Sequence, residues 1–405
     1  MKGIGRNSLG LYISIPFCRS KCTYCNFASG VYPASEHAHY VDRVIEELIA
    51  APAWAARMGV ELPRRVDTVY LGGGTPSLLA AELIARLFAA MRREFDFATD
   101  AEFTIECAPG QLADETLDAL AVTGVNRVSL GVQSFIDREA AVSGRLHSRD
   151  VVMREIQRLR SAGISNLNVD LIAGLAGQTL DSWEESLAAL AETGVPHASI
   201  YMLEVDEDSR LGREVLAHGV RYHAELVPTD DLIARMYSVA IERLKQAGLK
   251  QYEISNFSRP DMESRHNLRY WRRRPYLGVG LDAASMLLAT DSAARRVLRS
   301  TTTDNLAAFV QGCDPVESAW LSSAQQHEEA WFLGLRLNAG VEVGALEREF
   351  GGALVARALE AVRRLEDAGL VLSYGGETCE TRKTIRLTPQ GQLLSNNVFQ
   401  EFLGL

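Results

Sequence analysis

No apolar stretch of this chain approaches the ~20 residues that a bilayer-spanning helix needs. The opening, MKGIGRNSLGLYISIPF, lacks the layout of a secretory signal, because its short apolar run leads straight into cysteine-rich sequence. Basic charge is scarce: 42 Lys and Arg stand against 52 Asp and Glu, giving a net charge of −10 and a pI near 5.4. That balance argues against a nucleic-acid binder overall. Cysteine is sparse too, with three of six within eight residues and Cys107, Cys313 and Cys379 far apart. Such a distribution excludes a disulfide framework and fits metal use in a reducing compartment, so the expected location is the cytoplasm. Internal repeats and low-complexity linkers are missing as well. What is there, 47% hydrophobic and 23% charged over 405 residues, suits a globular chain of one large domain with one or two smaller ones.

The clustered cysteines lie in SIPFCRSKCTYCNF, residues 14–27, as C-x-x-x-C-x-x-C. Three thiolates on one short loop suit three irons of a 4Fe–4S cube, leaving the fourth iron without a protein ligand. Zinc is the alternative, but it commonly takes four ligands in pairs, and no second Cys or His pair follows. Cys18, Cys22 and Cys25 are therefore the candidate cluster ligands.

Apolar, β-branched runs recur at Leu11–Ile15, Val66–Leu71, Phe103–Cys107, Arg127–Val132, Asn168–Ile172 and Ala198–Leu203. Between them lie the helical patterns Ala38–Ala50, Ala80–Phe95, Ala113–Thr123, Ser148–Ala162 and Leu180–Thr193. This alternation predicts βαβ units and a parallel α/β sheet, with too few strands for a closed eight-stranded barrel. Functional residues are then expected at the C-terminal ends of the strands. The second strand runs into Gly72-Gly73-Gly74-Thr75-Pro76, where consecutive glycines let the backbone approach a ligand or simply make a tight turn. Glu106 ends the third strand and is either an acceptor for hydroxyls or a solvated loop acid. Cys107 beside it reads as a small core residue. Gln133 follows the fourth strand, with Arg145 and His147 further on, and Asp170 lies in the fifth. Singly these are ordinary polar residues, and His147 reads as structural.

Past an acidic loop at Glu204–Arg210 and an amphipathic helix at Asp230–Ala247 come QYEISNF (251–257) and SRHNLRYWRRR (264–274). Both are dense in polar and aromatic residues, and the second in arginine. Aromatic faces stack on flat ligands, Arg pairs with carboxylates, and His ligates iron. A surface patch or a local RNA contact are the alternatives. From about Thr301 the pattern changes to Glu328–Leu337, Val343–Phe350, Ala353–Ala368, Leu370–Ser373 and Lys383–Leu387, a helix-helix-helix-hairpin order. Residues Leu387–Phe399 are expected to close the chain with an amphipathic helix.

The cysteine spacing, the glycine triplet and the strand-end set together resemble the radical S-adenosylmethionine (SAM) enzymes, in which SAM's amino and carboxylate groups chelate the open iron. Along nearly its full length the chain resembles the HemN-like radical SAM family, named for oxygen-independent coproporphyrinogen III oxidase. It is most similar to the HemW branch, whose members are heme chaperones. The oxidase has a further cysteine where Phe27 stands, and a long N-terminal extension where eleven residues precede Tyr12. His266-Asn267-Leu268-Arg269-Tyr270-Trp271 fits the HNxxYW motif associated with heme binding in the HemW branch.

The resemblance implies a partial (β/α)6 TIM-like barrel with a smaller C-terminal α+β, winged-helix-like domain. It implies a radical SAM core over 1–230, a HemN-like extension with the HNxxYW motif over 231–300, and the C-terminal domain over 301–405. Tyr12, Tyr24, Gly73, Gly74, Thr75, Glu106, Gln133, Arg145 and Asp170 fall where the family contacts SAM. His266, Asn267, Tyr270 and Trp271 would bind heme, with Arg269 or Arg272–Arg274 pairing its propionates. The implied cofactors are a 4Fe–4S cluster, SAM and heme. The implied partner is a heme-acceptor protein, expected to be respiratory and membrane-associated; a homodimer is left open, and no nucleic acid is expected. Some positions depart from the pattern: Ser14 replaces a usual His, Ala173 and Ala176 stand where Tyr and Pro are common, and Ala284 stands where a His often precedes the Ser. The last departure leaves His266 as the main candidate heme ligand. The rival readings are a coproporphyrinogen III oxidase or other tetrapyrrole-directed radical SAM enzyme, and a non-catalytic regulator of the same fold.

Overall fold

The computed structural model describes residues 8–291, 296–312, 317–375 and 383–404. Cys313, Cys379 and the first seven residues of the opening stretch lie outside these.

Six strands form the parallel spine: β1 (Leu9–Ile15), β2 (Arg65–Gly73), β3 (Asp96–Cys107), β4 (Arg127–Gln133), β5 (Asn166–Ala173) and β6 (His197–Met202). They pair in chain order, each parallel to the next. Every residue of β1 except Tyr12 is buried, as expected of a strand covered on both faces. Helices Ser35–Met58, Ala81–Glu94, Asp114–Thr123, Arg149–Ser161 and Leu180–Thr193 link the strands. The first buries Tyr40, Val41, Val44, Leu48, Ala51 and Ala55, a spacing of three and four that makes one apolar stripe. The last opens on a capping box between Thr179 and Ser182, which satisfies otherwise orphaned backbone donors.

Further strands that the sequence pattern did not reveal flank the spine, the outermost lying past residue 300, beyond the expected extension. Tyr276–Val279 pairs parallel to β1, and Ala284–Ala289, Val297–Thr301 and Glu317–Leu321 continue outward antiparallel. At the other edge, Asn256–Ser258 lies antiparallel to β6. The polar 251–258 segment therefore closes the flank of the open barrel.

The C-terminal part has its own apolar core, built from helices Ser323–Leu335, Val343–Phe350 and Gly352–Asp367 and a three-stranded sheet. Within it Trp331 stacks on Phe402 with centroids 5.0 Å apart. The single closing helix expected over Leu387–Phe399 is instead two short ones, Pro389–Leu393 and Ser395–Gln400. Gly391 is buried so tightly against the Leu370 carbonyl that a Cβ has no room, which fixes the first of these helices. Leu394, at φ −106° and ψ 29°, ends the first and precedes the second.

Candidate functional site

A cavity of about 710 Å³ opens at the C-terminal ends of the spine strands and continues into the barrel interior. Cys18, Cys22 and Cys25 line it on one loop, all three free thiols and half-buried. Backbone bonds hold that loop: Cys18 N–H donates to the Gly30 carbonyl at 2.8 Å and Thr23 N–H to Ser143 at 3.1 Å. Burial pushes the Cys18 thiol pKa up, and the neighbouring thiols add to the shift. A cationic cluster bound there would oppose both effects, because thiolates are the ligand form. Among the described residues no three His, Cys, Asp or Glu side chains converge on a single metal position. A cube requires no such convergence, since each thiolate takes a different iron. The donor set fits a 4Fe–4S cluster.

The glycine run packs against the lead-in to this loop. Gly74 N–H donates to the Ile15 carbonyl and Thr75 N–H to that of Phe17, at 2.8 and 2.7 Å. A Cβ at Gly74 would lie 2.7 Å from the Phe17 carbonyl oxygen, and Gly73 adopts a φ of +103°. The triplet is thus needed to seat the cysteine loop, whatever else its amide groups bind.

Next to it sit the carboxylates. Glu106 accepts from the Tyr70 hydroxyl at 2.8 Å, and burial lifts its pKa to about 7, with Asp170 adding to the rise. Asp170 accepts from Ser129 Oγ at 2.8 Å and from Asn168 Nδ2 at 2.7 Å, and burial raises its pKa too. Arg145 reaches across Gly131, where a Cβ would touch its guanidinium at 2.8 Å, and donates to the Tyr24 hydroxyl at 3.1 Å. Two polar atoms here have no partner although buried: Gln133 Oε1 and Arg145 Nε. Gln133 also holds a left-handed backbone, φ +69°, at the end of β4. Strain and unpaired polar atoms at one strand end are what a ligand site is expected to carry. The residues fit SAM, with acceptors for its hydroxyl and amino groups and a cation for its carboxylate.

Of the residues expected from the sequence to contact SAM, Tyr24, Gly73, Gly74, Thr75, Glu106, Gln133, Arg145 and Asp170 line the cavity. Tyr12 does not; its ring is stacked 6.2 Å from Tyr70, behind the wall. The HNxxYW helix, Arg265–Trp271, splits in the same way. Asn267 lines the cavity, while His266, Tyr270 and Trp271 do not. His266 is 1% exposed, with Nδ1 3.0 Å from Thr68 Oγ1 and Nε2 2.7 Å from the Tyr270 hydroxyl. Burial, aided by Arg269, drives its pKa down to about 3, so the imidazole is neutral. Arg269 is wholly buried, ion-paired to Asp67 and bonded to the Pro275 carbonyl at 2.8 Å. Arg273 pairs with Glu349. Ala284 opens an extension strand away from the cavity, and Phe27 stands 63% exposed at the mouth. His147 is buried, its Nε2 3.1 Å from the Val132 carbonyl.

The sequence reading missed the inner wall. Ser129, Asn168, His197, Ser199 and Asn256 form a buried hydrogen-bonded set: His197 Nδ1 is 2.6 Å from Asn168 Oδ1, and Ser199 Oγ donates to Asn256 Oδ1 at 2.8 Å. Arg336 and Ser395–Asn397 enter from the C-terminal part. A signal existed for some of these. Asn168 and Asp170 alternate with Val169 and Leu171, the period of an inward polar face.

A half-open parallel barrel with three free thiols beside a strand-end carboxylate and arginine set defines a radical SAM protein. Residues 12–190 match the Radical SAM superfamily and residues 321–394 the HemN C-terminal domain. The chain belongs to the HemW family. It is 32% identical over 396 residues to "Heme chaperone HemW" of Lactococcus lactis, covering 97% of this chain and 96% of that one. It is 31% identical to "Heme chaperone HemW" of Bacillus subtilis, covering 97% and 98%. In fold it resembles the solved coproporphyrinogen III oxidase HemN of Escherichia coli, with a TM-score of 0.79, 24% identity and coverage of 98% and 90%. No helix among the described residues is long and apolar enough to cross a membrane.

If SAM's hydroxyls bond to Glu106, as the family resemblance implies, the raised pKa of that carboxyl makes SAM affinity sensitive to pH. The carboxylate accepts hydroxyl hydrogens as the anion, and below about 7 the acid form dominates. SAM affinity is therefore expected to fall by up to about tenfold per pH unit below 7 and to level off above it. Equilibrium SAM binding between pH 5.5 and 8.5 checks this, and Glu106→Gln should flatten the profile and weaken binding at pH 8 about 5- to 150-fold. A wild-type affinity constant across that range would remove Glu106 from the ribose.

Proposed function

We propose that this protein is a heme chaperone that carries a 4Fe–4S cluster on Cys18, Cys22 and Cys25, binds SAM over Glu106, Gln133, Arg145 and Asp170, takes up one heme, and hands it to an acceptor protein. The observation that carries this reading is the end-to-end match to the heme chaperones of the family, in a chain whose HNxxYW helix is built against the cavity wall. A cluster held on these thiols would, when reduced, be able to supply an electron to SAM bound beside it. The chain's own residues hold and shield: the glycine run seats the loop, Arg145 and Gln133 offer unpaired polar atoms, and Ser395–Asn397 add polar lining from the C-terminal part. In this reading 1–230 forms the cofactor core, 231–300 carries the heme motif, 301–405 closes the cavity, and the acceptor is a respiratory protein at the membrane.

Heme ligation by His266 requires its Nε2 to leave the Tyr270 hydroxyl, 2.7 Å away. Its neutrality helps, because neutral imidazole is the ligand form. Tyr270→Phe removes the competing hydroxyl and is expected to strengthen heme binding, whereas His266→Ala abolishes the Soret shift. Spectrophotometric heme titration of both variants, with thermal melts as folding controls, checks the pair. In a parallel assay, coproporphyrinogen III with SAM and a reductant should remain unconverted. Robust formation of protoporphyrinogen IX would move the protein to the oxidases, and heme binding indifferent to His266 would place the iron elsewhere.

A further inference from the structure

We propose that Arg336 is the anchor for a carboxylate of the ligand held in the inner part of the cavity, a carboxylate-bearing planar molecule. Arg336 belongs to the C-terminal part and caps the helix Ser323–Leu335, yet its side chain lines the cavity beside the barrel flank. Its backbone is pinned from both sides. Ile254 N–H donates to the Arg336 carbonyl at 3.1 Å, and Asn338 N–H to that of Tyr252 at 3.0 Å. Asn338 Nδ2 in turn donates to the Gln251 carbonyl at 2.9 Å, and Gln392 Nε2 donates to Asn338 Oδ1 at 3.1 Å. The guanidinium lies 4.3 Å above the Trp271 ring, which orients its plane. The position is built, and the group is pre-organised.

The charge on this guanidinium is poorly met by protein. Arg336 Nε is buried with no hydrogen-bond partner. The nearest carboxylate is Glu253, fully buried, with Oε2 4.0 Å from Nη2, the outer limit of an ion pair. That oxygen has no hydrogen bond either, while the other oxygen of Glu253 is held by Asn256 Nδ2. A structural salt bridge would have closed to hydrogen-bond contact, as Arg269 Nη2 and Asp67 Oδ1 have done in the same protein. Here two oppositely charged groups stand apart, each with an unused polar atom, at the edge of a cavity. A carboxylate entering from the cavity satisfies the Arg336 donors directly. The other arginines on the cavity wall serve elsewhere: Arg145 stands with the residues proposed for SAM and donates to Tyr24, and Arg127 donates to Asn166 Oδ1 at 2.8 Å. Arg336 therefore supplies the carboxylate recognition here, and Asn267 and Ser395–Asn397 supply neutral polar lining.

The identity of the ligand rests on the heme reading, so the probes are hemin, metal-free protoporphyrin IX and the dimethyl ester of each, titrated into the full-length protein by absorbance and fluorescence quenching. Arg336→Gln is expected to weaken both free acids roughly 10- to 100-fold and to leave the esters, which already bind less tightly, unchanged. Glu253→Gln removes the competing carboxylate and is expected to bind the acids at least as tightly as the wild type. A structural ion pair predicts instead that both variants melt earlier and lose acid and ester alike. Arg336→Lys, which keeps charge without the flat fork, is expected to fall between wild type and Arg336→Gln. Unchanged acid affinity in Arg336→Gln, or equal losses for acid and ester, overturns the proposal. Arg336-dependent protoporphyrin binding with no iron ligation of hemin upholds it while the heme-chaperone reading fails. Hemin binding that needs His266 but ignores Arg336 does the reverse, and a protein that binds neither porphyrin overturns both.

Discussion

Replacing Cys18, Cys22 or Cys25 with alanine is expected to abolish the cluster and leave the fold standing. In the proposed cluster each thiol holds one iron of the cube, so losing one of three removes a third of the protein ligation. Anaerobic reconstitution should then give close to no iron and no broad absorbance near ~410 nm, against about four irons per chain in the wild type. The fold should survive because the side chains contribute little to the loop. Cys18 Sγ lies 3.9 Å from Thr75 Oγ1 and Cys25 Sγ 3.9 Å from Ser29 Oγ, weak contacts both. The loop's shape comes from elsewhere: Lys21 Nζ donates to the carbonyls of Phe27 and Ser29 at 3.0 and 2.9 Å, and Leu211 N–H donates to that of Thr23 at 2.8 Å. Cys107→Ala is the internal control. That thiol is buried, its pKa pushed up to about 12 by desolvation, and its loss should leave the iron content unchanged. About four irons per chain in the triple alanine variant would end the assignment.

The contrast between the cysteine loop and the HNxxYW helix shows what a sequence of this kind discloses. Cys18, Cys22 and Cys25 are neighbours along the chain, the glycine run, Glu106 and Gln133 sit where a parallel strand ends, and Asp170 lies inside one on its inward face. An apolar, β-branched run followed by a polar residue locates such positions without any tertiary knowledge, because strand ends in this architecture share one rim. The helix is different. Seven residues are too few for an amphipathic period to say which side faces inward, and the motif was expected to point as a unit toward a ligand. Instead Asn267 faces the cavity, His266 and Arg269 face the β2 side chains Thr68 and Asp67, and Trp271 supports Arg336. Arg336 itself was unreadable, since its place depends on contacts with Tyr252 and Ile254 some eighty residues earlier. The flanking strands were missed for a related reason. They are short, four residues in Tyr276–Val279 and six in Ala284–Ala289, and no helical pattern separates them, so nothing marks them as repeating units of the spine.

Arg269→Met is expected to be the most destabilising single change in the motif, and through the fold instead of through heme. Its guanidinium is fully buried and every nitrogen is used: Nε donates to Thr68 Oγ1 at 3.2 Å, Nη1 to the carbonyls of Ser8 and Pro275 at 2.9 and 2.8 Å, and Nη2 to Asp67. These bonds tie β1, β2 and the loop before Tyr276 into one joint. Gly10 makes room for it, since a Cβ there would lie 2.5 Å from Arg269 Cδ. Removing one partner of a buried pair leaves the other charge uncompensated, a loss of about 3–5 kcal/mol. Burial opposes the charge on Arg269 and Asp67 restores it, so the pair stands or falls together. Asp67→Asn should therefore destabilise in the same direction, and the double variant Arg269→Met with Asp67→Leu should recover part of the loss, because a buried ion pair is replaceable by apolar residues of similar volume. Denaturant unfolding followed by tryptophan fluorescence reads all three. If Arg269→Met kept its unfolding midpoint and lost only heme affinity, the arginine would be a propionate partner that the apo fold leaves unstrained. The closed network of Ser8, Asp67, Thr68 and Pro275 around it argues for the first outcome.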